Sequence, residues 1–412
     1  MAVGLNKELC EILDKIDHRE TKEDADRQRL PARAAALVRK EPMLLLSAAA
    51  AVASLFITPP SARLLSDIDW HTLATLFMML TVLEGFKSEN IFRPLLRLAG
   101  GIRSMAALSL FLVFSVFFSS MFVTNDVSLI IFVPLTIMLF RAGGRERYIL
   151  PVITMENIAA VRGSLLTPFG SPQNLFIYGQ SGVPALRFMR YMLPLWLMSA
   201  ALLVGFVLAL YRGNLGMRSG VRDMSFAGEW AAEGRLRRAA YLSIFAVVLW
   251  TIVSRTSLWG FVAVGVAVAV LIIDRKILLR TDYVLLLTFL CFFVFSSSIA
   301  SNPAISAFLL RSVSGSEYLW SILLSQVISN VPASIVLYPF ADNVGALLYG
   351  LDSAGLCSLI GSLASVINYR IYVREYPGNG GRFLRVFTLI SLLFFALVAL
   401  PGYYISARFP LR

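Results

Sequence analysis

Three polar side chains, those of Thr124, Asn125 and Asp126, stand together inside a long apolar stretch of the sequence. Hydroxyl and amide groups supply both hydrogen-bond donors and acceptors, and a carboxylate can bind Na⁺ or carry a proton. Polar and ionisable residues at membrane depth are candidates for function. We therefore expect an ion or substrate site here. The alternative interpretation is that these groups form a helix cap or an interhelical hydrogen bond.

A second polar cluster, Ser329 and Asn330, repeats this arrangement later in the chain. Pro339 follows Asn330 by nine residues, and in the first cluster a Pro follows the Asn by the same distance. Two breaks with one spacing, each inside apolar sequence, indicate an internal repeat. Paired breaks of this kind indicate the binding site of a membrane transporter, so we assign Ser329 and Asn330 to the same site. Val331 stands where the first cluster has its Asp.

Two further stretches cannot form regular helices. In the first, Pro168 and Pro172 interrupt the backbone hydrogen-bond ladder. We predict that its polar positions face the same cavity as the clusters: Thr167, Gly170, Ser171, Gln173 and Asn174. The second stretch has no Pro, and its candidate residues are Ser358, Gly361 and Ser362. The two half-sites are therefore not equivalent.

Charged residues also occur inside the apolar segments. Glu156 and Arg162 lie in the interrupted segment 150–178 and could form a charge relay. Arg162 could instead contact an anionic substrate with two N–H groups, or pair internally with Glu156 or Asp126. Asp352 falls near the expected outer boundary of its segment, where we expect it to be solvated.

The composition places these sites in a membrane. Of 412 residues, 58% are hydrophobic and 15% are charged, and the mean hydropathy is +0.74. Apolar runs long enough to span a bilayer predict an all-α polytopic membrane protein with about 9–11 membrane segments. Two His, and three Cys without CxxC spacing, argue against a metal cluster or a disulfide framework. We expect no cofactor other than a coupling ion, Na⁺ or H⁺.

The distribution of Lys and Arg orients the chain. With a cytoplasmic N-terminus, 29 of these residues fall on the cytoplasmic side and seven on the outer side. This is the positive-inside pattern, and it accounts for the net charge of +12 without a nucleic-acid partner. We predict a multi-pass protein of the inner (cytoplasmic) membrane. The same distribution indicates that segments 104–140 and 318–340 each return to the side from which they enter. Each is therefore a hairpin, either re-entrant or fully spanning.

Three matches in the same order relate the two halves. Asp69 and Asp282 each precede an aromatic residue and have a Thr six positions on; the polar clusters and the interrupted segments follow. The predicted topology places Asp69 outside and Asp282 inside, which makes the repeat inverted. The predicted divisions are a charged amphipathic N-terminal segment (1–42), a first repeat (43–211), a cytoplasmic linker (212–238), a connecting helix (239–257) and a second repeat (258–412).

Three stretches carry a family resemblance. They are Thr124-Asn-Asp-Val-Ser-Leu-Ile-Ile-Phe-Val-Pro134, Leu166-Thr-Pro-Phe-Gly-Ser-Pro-Gln-Asn-Leu175 and Leu324-Ser-Gln-Val-Ile-Ser-Asn-Val-Pro-Ala333. They resemble motifs of the ion transporter superfamily, which includes citrate–metal transporters, arsenite permeases, NhaD-type sodium/proton antiporters and divalent-anion/sodium symporters. The resemblance covers residues 43–407, and it is greatest to citrate-transporter-like and arsenite-permease-like proteins of bacterial inner membranes.

The resemblance implies a homodimer with a scaffold part and a mobile transport part. It also implies that two hairpin tips and the neighbouring unwound helices form the substrate and ion sites. The symporter branch carries Ser-Asn-Thr at both tips, whereas only the Asn is kept in both tips here. Asp126 after the first Asn favours the arsenite-permease or antiporter-like branch. The family gives no role to Arg162.

We therefore predict a secondary transporter of a small anion or metal–anion complex, coupled to Na⁺ or H⁺ and working by alternating access. The main alternative is a Na⁺/H⁺ antiporter on the same fold, with Asp126 as the exchanging carboxylate. A membrane-embedded enzyme would need a reactive set of side chains at depth, and the sequence has no nucleophile–base pair or P-loop. Inverted, interrupted helices disfavour a channel.

Overall fold

The computed structural model describes residues 42–411, except for 59–61, 93, 95–97, 100 and 221–233. The predicted amphipathic segment 1–42, apart from its last residue, and the middle of the predicted linker 212–238 lie outside the described residues. Within the described part the regular structure is helical, with one isolated β-bridge between Ser104 and Arg218. The prediction of an all-α protein is confirmed.

Eight helices of the described residues precede the linker. They are α1 (Pro42–Ile57), α2 (Ala62–Asp67), α3 (Trp70–Ser88), α4 (Met105–Val123), α5 (Asn125–Ala142), α6 (Ile149–Gly163), α7 (Pro172–Ser181) and α8 (Ala185–Leu210). The described helices after the linker are α9 (Arg235–Ser254), α10 (Trp259–Arg280), α11 (Tyr283–Ser301), α12 (Pro303–Val313), α13 (Glu317–Ile328), α14 (Asn330–Leu337), α15 (Val344–Ala354), α16 (Leu363–Glu375) and α17 (Gly380–Arg408).

Seven helical segments of the described residues are long and apolar enough to cross a membrane. They are Met105–Val123, Asn125–Ala142, Glu146–Leu166, Ala185–Leu210, Arg235–Ser254, Tyr283–Ser301 and Gly380–Arg408. Two shorter apolar helices, Met43–Ile57 and Pro303–Val313, accompany them. The chain is therefore a polytopic membrane protein, as predicted. Large apolar side chains such as Phe261 and Ile272 are exposed, which suits a lipid-facing surface.

Two helical hairpins, α4–α5 and α13–α14, each turn at one non-helical residue. The arms of the first have 19 and 18 residues. Both arms fall within the range of about 17–25 residues that spans a hydrocarbon core of about 30 Å. The arms of the second have 12 and 8 residues, or about 18 and 12 Å. The second hairpin is therefore too short to span fully, and the two hairpins differ in length.

Both interrupted segments are broken helices. The first runs as α6, a 3₁₀ turn at Ser164–Leu166, a non-helical stretch and then α7. The second runs as α15, a non-helical stretch and then α16. Proline explains the position of the first restart, because Pro172 has no N–H to donate and suits the first turn of a helix. The breaks fall where the sequence predicts them.

The helices α3 and α11, which the predicted repeat pairs, begin with the same cap. Asp69 before α3 has φ −77° and ψ 81°, and its carboxylate accepts from the Thr72 backbone N–H. Asp282 before α11 has φ −76° and ψ 80° and accepts from the Leu285 backbone N–H. The packing contacts match in the same way. Within the halves, α4 packs on α6 and α13 on α15. Between the halves, the contact of α1 with α11 matches that of α10 with α3, and the contact of α5 with α16 matches that of α14 with α7. Such matching is the pattern that two related halves produce.

Candidate functional site

Both hairpin tips adopt one unusual backbone conformation. Thr124 has φ 68° and ψ 158°, and Ser329 has φ 69° and ψ 159°. Glycine is almost the only residue that adopts this region, and another residue held there costs about 1–3 kcal/mol. Strain of this kind clusters at ligand-binding and switching positions. The equal geometry of two buried hydroxyl residues supports treating the two tips as a pair.

The first tip is ordered by short polar contacts. The Ser128 hydroxyl donates to the Thr124 carbonyl at 3.0 Å, and it accepts from the Ser119 hydroxyl at 2.9 Å. The side-chain oxygen of Asn125 accepts from the Asp126 backbone N–H at 3.0 Å. Carboxylate atom Oδ1 of Asp126 is buried and has no partner among the described residues. Asp126 therefore presents an acceptor at the tip that a proton, a cation or water can use.

The first break lies beside the first hairpin. The Thr167 hydroxyl donates to the Met121 carbonyl near the end of α4. Gly170 approaches the Ser164 carbonyl so closely that a Cβ atom would clash with it. Asn174 in the first turn of α7 donates to the Leu165 carbonyl at 3.4 Å. These contacts hold the unwound stretch against both the hairpin and the end of α6.

The second break contacts the second tip directly. The Asn330 backbone N–H donates to the Gly361 carbonyl at 3.2 Å, and its side-chain amide donates to the Leu351 carbonyl at 3.4 Å. Ser358, which is half-buried, donates to the side-chain oxygen of Gln326 on α13 at 2.6 Å. The predicted residues of the second half-site are thus brought together, although Ser358 lies toward its edge.

The two serines that precede α7 and α16 have similar backbone conformations. Ser171 has φ −145° and ψ 152°, and Ser362 has φ −147° and ψ 137°. Both side chains are buried. The Ser171 hydroxyl has no partner within the described part of the chain. Helix N-termini carry partial positive charge, so both restarts are suited to an anion.

Three side-chain amides join the two halves across the breaks. Gln173 donates to Asp352 Oδ1 at 3.1 Å, Asn157 donates to Ser365 Oγ at 3.0 Å, and Asn368 donates to the Ile153 carbonyl at 2.7 Å. Only Gln173 is among the predicted site residues. The signal for the other two was their amide side chains in apolar helices that flank the breaks.

Arg162 is fully buried but pairs with neither partner proposed from the sequence. Its Nε atom donates to Ser199 Oγ at 2.9 Å, and Nη1 donates to the backbone carbonyl of Asp352 at 3.1 Å. Of the two alternatives for Arg162, the internal ion pair with Glu156 or Asp126 is not formed within 4.0 Å among the described residues. Glu156 lies six residues earlier on the same helix, about 240° around its axis, so the two side chains face different neighbours.

Glu156 points toward the first hairpin instead. Its Oε1 atom accepts from the Thr136 hydroxyl of α5, and Oε2 is buried without a partner among the described residues. No ion pair within 4.0 Å involves Glu156 in the part of the chain that the structure describes. A direct charge relay between Glu156 and Arg162 is therefore absent from this conformation.

Asp352 is also placed differently from the expectation. It is only 1% exposed, whereas its position near an outer boundary suggested that it is solvated. The reason is that α15 ends inside the protein at the break, and its residues from Gly345 to Ala354 are buried. Asp352 thus belongs to the site, and the sequence signal that could have shown this was a single carboxylate in an otherwise apolar segment.

Buried polar atoms without a hydrogen-bond partner concentrate around the breaks. Ten of the sixteen such atoms in the described residues are Asp126 Oδ1, Glu156 Oε2, Asn157 Oδ1, Arg162 Nη2, Ser171 Oγ, Gln173 Oε1, Asn174 Oδ1, Asp352 Oδ2, Ser353 Oγ and Asn368 Oδ1. Folded proteins satisfy nearly all buried polar groups with protein, water or ligand. This concentration is therefore what a hydrated ligand site requires.

Paired hairpins, paired broken helices and a polar interior together define a class of protein. Irregular backbone at membrane depth persists only where protein or a water-filled cavity covers it. Helix breaks that face one another in this way form the binding sites of secondary transporters. The fold and the site are those of a polytopic membrane transporter.

Sequence comparison places the chain within this class. The profile of the citrate transporter family matches residues 35–361, and the chain belongs to that family. Inner membrane protein YbiR of Escherichia coli is 33% identical over 347 residues, which cover 83% of this chain and 89% of that protein. An uncharacterized transporter of Methanocaldococcus jannaschii is 26% identical over 333 residues, which cover 79% of this chain and 87% of that protein. The predictions of a citrate-transporter-like protein and of a transporter rather than an enzyme are confirmed.

Proposed function

We propose that this transporter moves a small anion or a metal–anion complex, either a carboxylate or an oxyanion, by ion-coupled alternating access. The observation that carries the proposal is the gathering of buried, unpartnered polar atoms at the first tip and around the two helix breaks, beside two tips that share one strained backbone conformation. Membership of the citrate transporter family supports a carboxylate or its metal complex as substrate.

The chemistry of the site suits an anion and a cation together. For the anion it offers the Nη2 atom of Arg162, the Ser171 hydroxyl and the N-terminus of α7. For the coupling ion, Na⁺ or H⁺, it offers the Asp126 carboxylate at the first tip. A transported anion and its coupling cation then neutralise one another, which lowers the cost of carrying either charge through a low-dielectric interior.

The movement that we propose follows from the internal repeat. Matched caps at Asp69 and Asp282, matched tips at Thr124 and Ser329, and matched packing contacts all support two related halves. If the halves are inverted, exchanging their conformations opens the site to one side and then to the other. We place the protein in the inner (cytoplasmic) membrane as a homodimer with a cytoplasmic N-terminus.

The experiment that tests the proposal uses purified full-length protein. Thermal unfolding is measured with carboxylates, oxyanions, metal–citrate and Na⁺, and each stabilising anion is then tested for counterflow in proteoliposomes. We expect saturable stabilisation by at least one anion and saturable counterflow of the same anion. Absence of stabilisation by every anion tested would count against the proposal, and flux without saturation would indicate a channel.

A Na⁺/H⁺ antiporter on the same fold is the second candidate. Around the breaks, Glu156 and Asp352 are buried and Asp126 has one buried carboxylate oxygen, whereas Arg162 is the one fully buried arginine of the described residues. The substitution Asp126→Asn separates the two candidates. It removes the carboxylate but keeps an acceptor oxygen of similar size.

For an anion transporter, we expect Asp126→Asn to keep anion-induced stabilisation while losing most of the dependence of flux on the Na⁺ or H⁺ gradient. The measurement pairs the unfolding temperature with flux at imposed gradients, and wild-type protein is the control. Pure Na⁺/H⁺ exchange in wild type, abolished in Asp126→Asn and without any anion requirement, would establish the antiporter instead.

A further inference from the structure

The C-terminal end of α15, called the cation position below, accepts hydrogen bonds from side chains of three other helices. Its last carbonyls accept from three side chains: Asn330 donates to Leu351 at 3.4 Å, Arg162 to Asp352 at 3.1 Å and Gln326 to Ala354 at 3.2 Å. A helix C-terminus carries partial negative charge, and the C-terminal ends of broken transporter helices coordinate cations. Of the three donors here, only Arg162 is charged.

Arg162 reaches this position from the other half of the chain. It belongs to α6, it is fully buried, and Ser199 on α8 fixes its Nε atom at 2.9 Å. Ser199 is itself held because its hydroxyl donates to the Leu195 carbonyl at 2.7 Å. Among the described residues, no carboxylate oxygen lies within 4.0 Å of the guanidinium group. The contacts of the charge are therefore a helix-end carbonyl and a hydroxyl group.

The equivalent end of α6 in the first half has neutral donors instead. The Ser164 hydroxyl donates to the Val161 carbonyl at 3.2 Å, and the Asn174 amide donates to the Leu165 carbonyl at 3.4 Å. The first half has Asp126 at its tip, whereas Val331 follows the Asn of the second tip. The first half therefore has the Asp126 carboxylate at its tip and no charged donor at the end of α6. The second half has the Arg162 guanidinium at the end of α15 and no carboxylate at its tip.

We propose that Arg162 is a built-in cation that occupies the cation position at the end of α15. The second half then needs no mobile coupling cation, and the protein binds one coupling cation, in the first half near Asp126. This inference rests on the proposed function, because a coupling cation has meaning only for an ion-coupled transporter.

The experiment varies the charge at position 162 and keeps a hydrogen-bond donor. Purified full-length wild type, Arg162→Gln and Arg162→Lys are titrated with NaCl or methylguanidinium chloride, and choline chloride holds the ionic strength constant. The unfolding temperature is the measurement. We expect Arg162→Gln to gain a saturable rise of a few degrees with one of these cations, while Arg162→Lys responds as wild type does.

If Arg162→Gln responds to cations in the same way as Arg162→Lys and wild type, Arg162 acts only as a hydrogen-bond donor and the inference is wrong. A second measurement covers the case in which Arg162→Gln does not fold. Isothermal titration of wild type with Na⁺, or proton counting per anion transported, should give one cation, and Asp126→Asn should give none. Two cations per cycle in wild type would overturn the inference even where anion counterflow upholds the proposed function.

Discussion

The hydroxyl groups of Thr124 and Ser329 are held at the tips by backbone that glycine would adopt without strain. Replacing either residue by glycine relieves that strain, and the entropy of the glycine in the unfolded chain offsets part of the gain. We expect Thr124→Gly and Ser329→Gly to raise the free energy of unfolding by about 1 kcal/mol while lowering the transport rate. Thermal unfolding in detergent and initial rates in proteoliposomes measure the two effects.

The control for these tip variants is Thr124→Ser, which keeps the hydroxyl group and the strained position. It should stay near wild type in both measurements. A glycine variant that transports at the wild-type rate would show that the tip hydroxyl groups do not contact the substrate or the ion.

Substitutions of the buried residue Glu156 separate the contribution of its shape to stability from the contribution of its charge. The amide of Glu156→Gln can still accept from the Thr136 hydroxyl, whereas Glu156→Ala leaves a cavity and an unpartnered hydroxyl. We expect Glu156→Gln to stay within about 1 kcal/mol of wild type and Glu156→Ala to lose about 2–4 kcal/mol. Equal losses in the two variants, measured by denaturant unfolding, would show that the carboxylate charge itself is needed.

At the scale of elements, the close approach of each break to a helix end depends on glycine. A Cβ atom at Gly361 would meet the Ala354 carbonyl at the end of α15. We expect Gly361→Ala to cost about 1–3 kcal/mol, because backbone must move to make room. Gly205→Ala on α8 is the matched control, since nothing lies within 4 Å of a Cβ there. Similar unfolding temperatures for the two variants would contradict the proposed packing at the break.

The elements that could be predicted from the sequence are those that local chemistry determines. Pro and Gly around positions 167–172 and the polar residues at 124–126 and 329–330 show where helices stop. The partner of Arg162 and the burial of Asp352 could not be predicted in this way, because each depends on how one helix is rotated against a distant one. The arm lengths of the second hairpin could not be predicted either, because a re-entrant and a fully spanning hairpin leave the flanking Lys and Arg residues on the same sides of the membrane.

At the scale of the whole molecule, the inverted topology is open to direct test. Glu146 lies at the base of the first hairpin and Ser316 at the base of the second, and both are exposed. Single cysteines are introduced as Glu146→Cys and Ser316→Cys after replacement of Cys10, Cys291 and Cys357. We expect a membrane-impermeant maleimide to label Ser316→Cys on intact cells and Glu146→Cys only after permeabilisation. Labelling of both from one side would disprove the inversion.

The class of the whole protein could be predicted because hydropathy and paired breaks are properties of the chain itself. Composition alone requires a membrane, and the motifs around Asn125 and Asn330 carry the family. The substrate could not be predicted in the same way, because specificity depends on the distances between groups that different helices contribute. The network of Asn157, Gln173 and Asp352 across the two halves is an example.

The hydrogen bond from the Asn330 backbone N–H to the Gly361 carbonyl bears on the rate of the transport movement. If the second tip lifted away from its break, two buried backbone groups would lose their hydrogen bond, and water would have to enter to replace it. Hairpin and broken helix are therefore expected to travel as one block. We therefore expect the proposed transport cycle to have one large barrier, the displacement of this block, and not two gates that open independently.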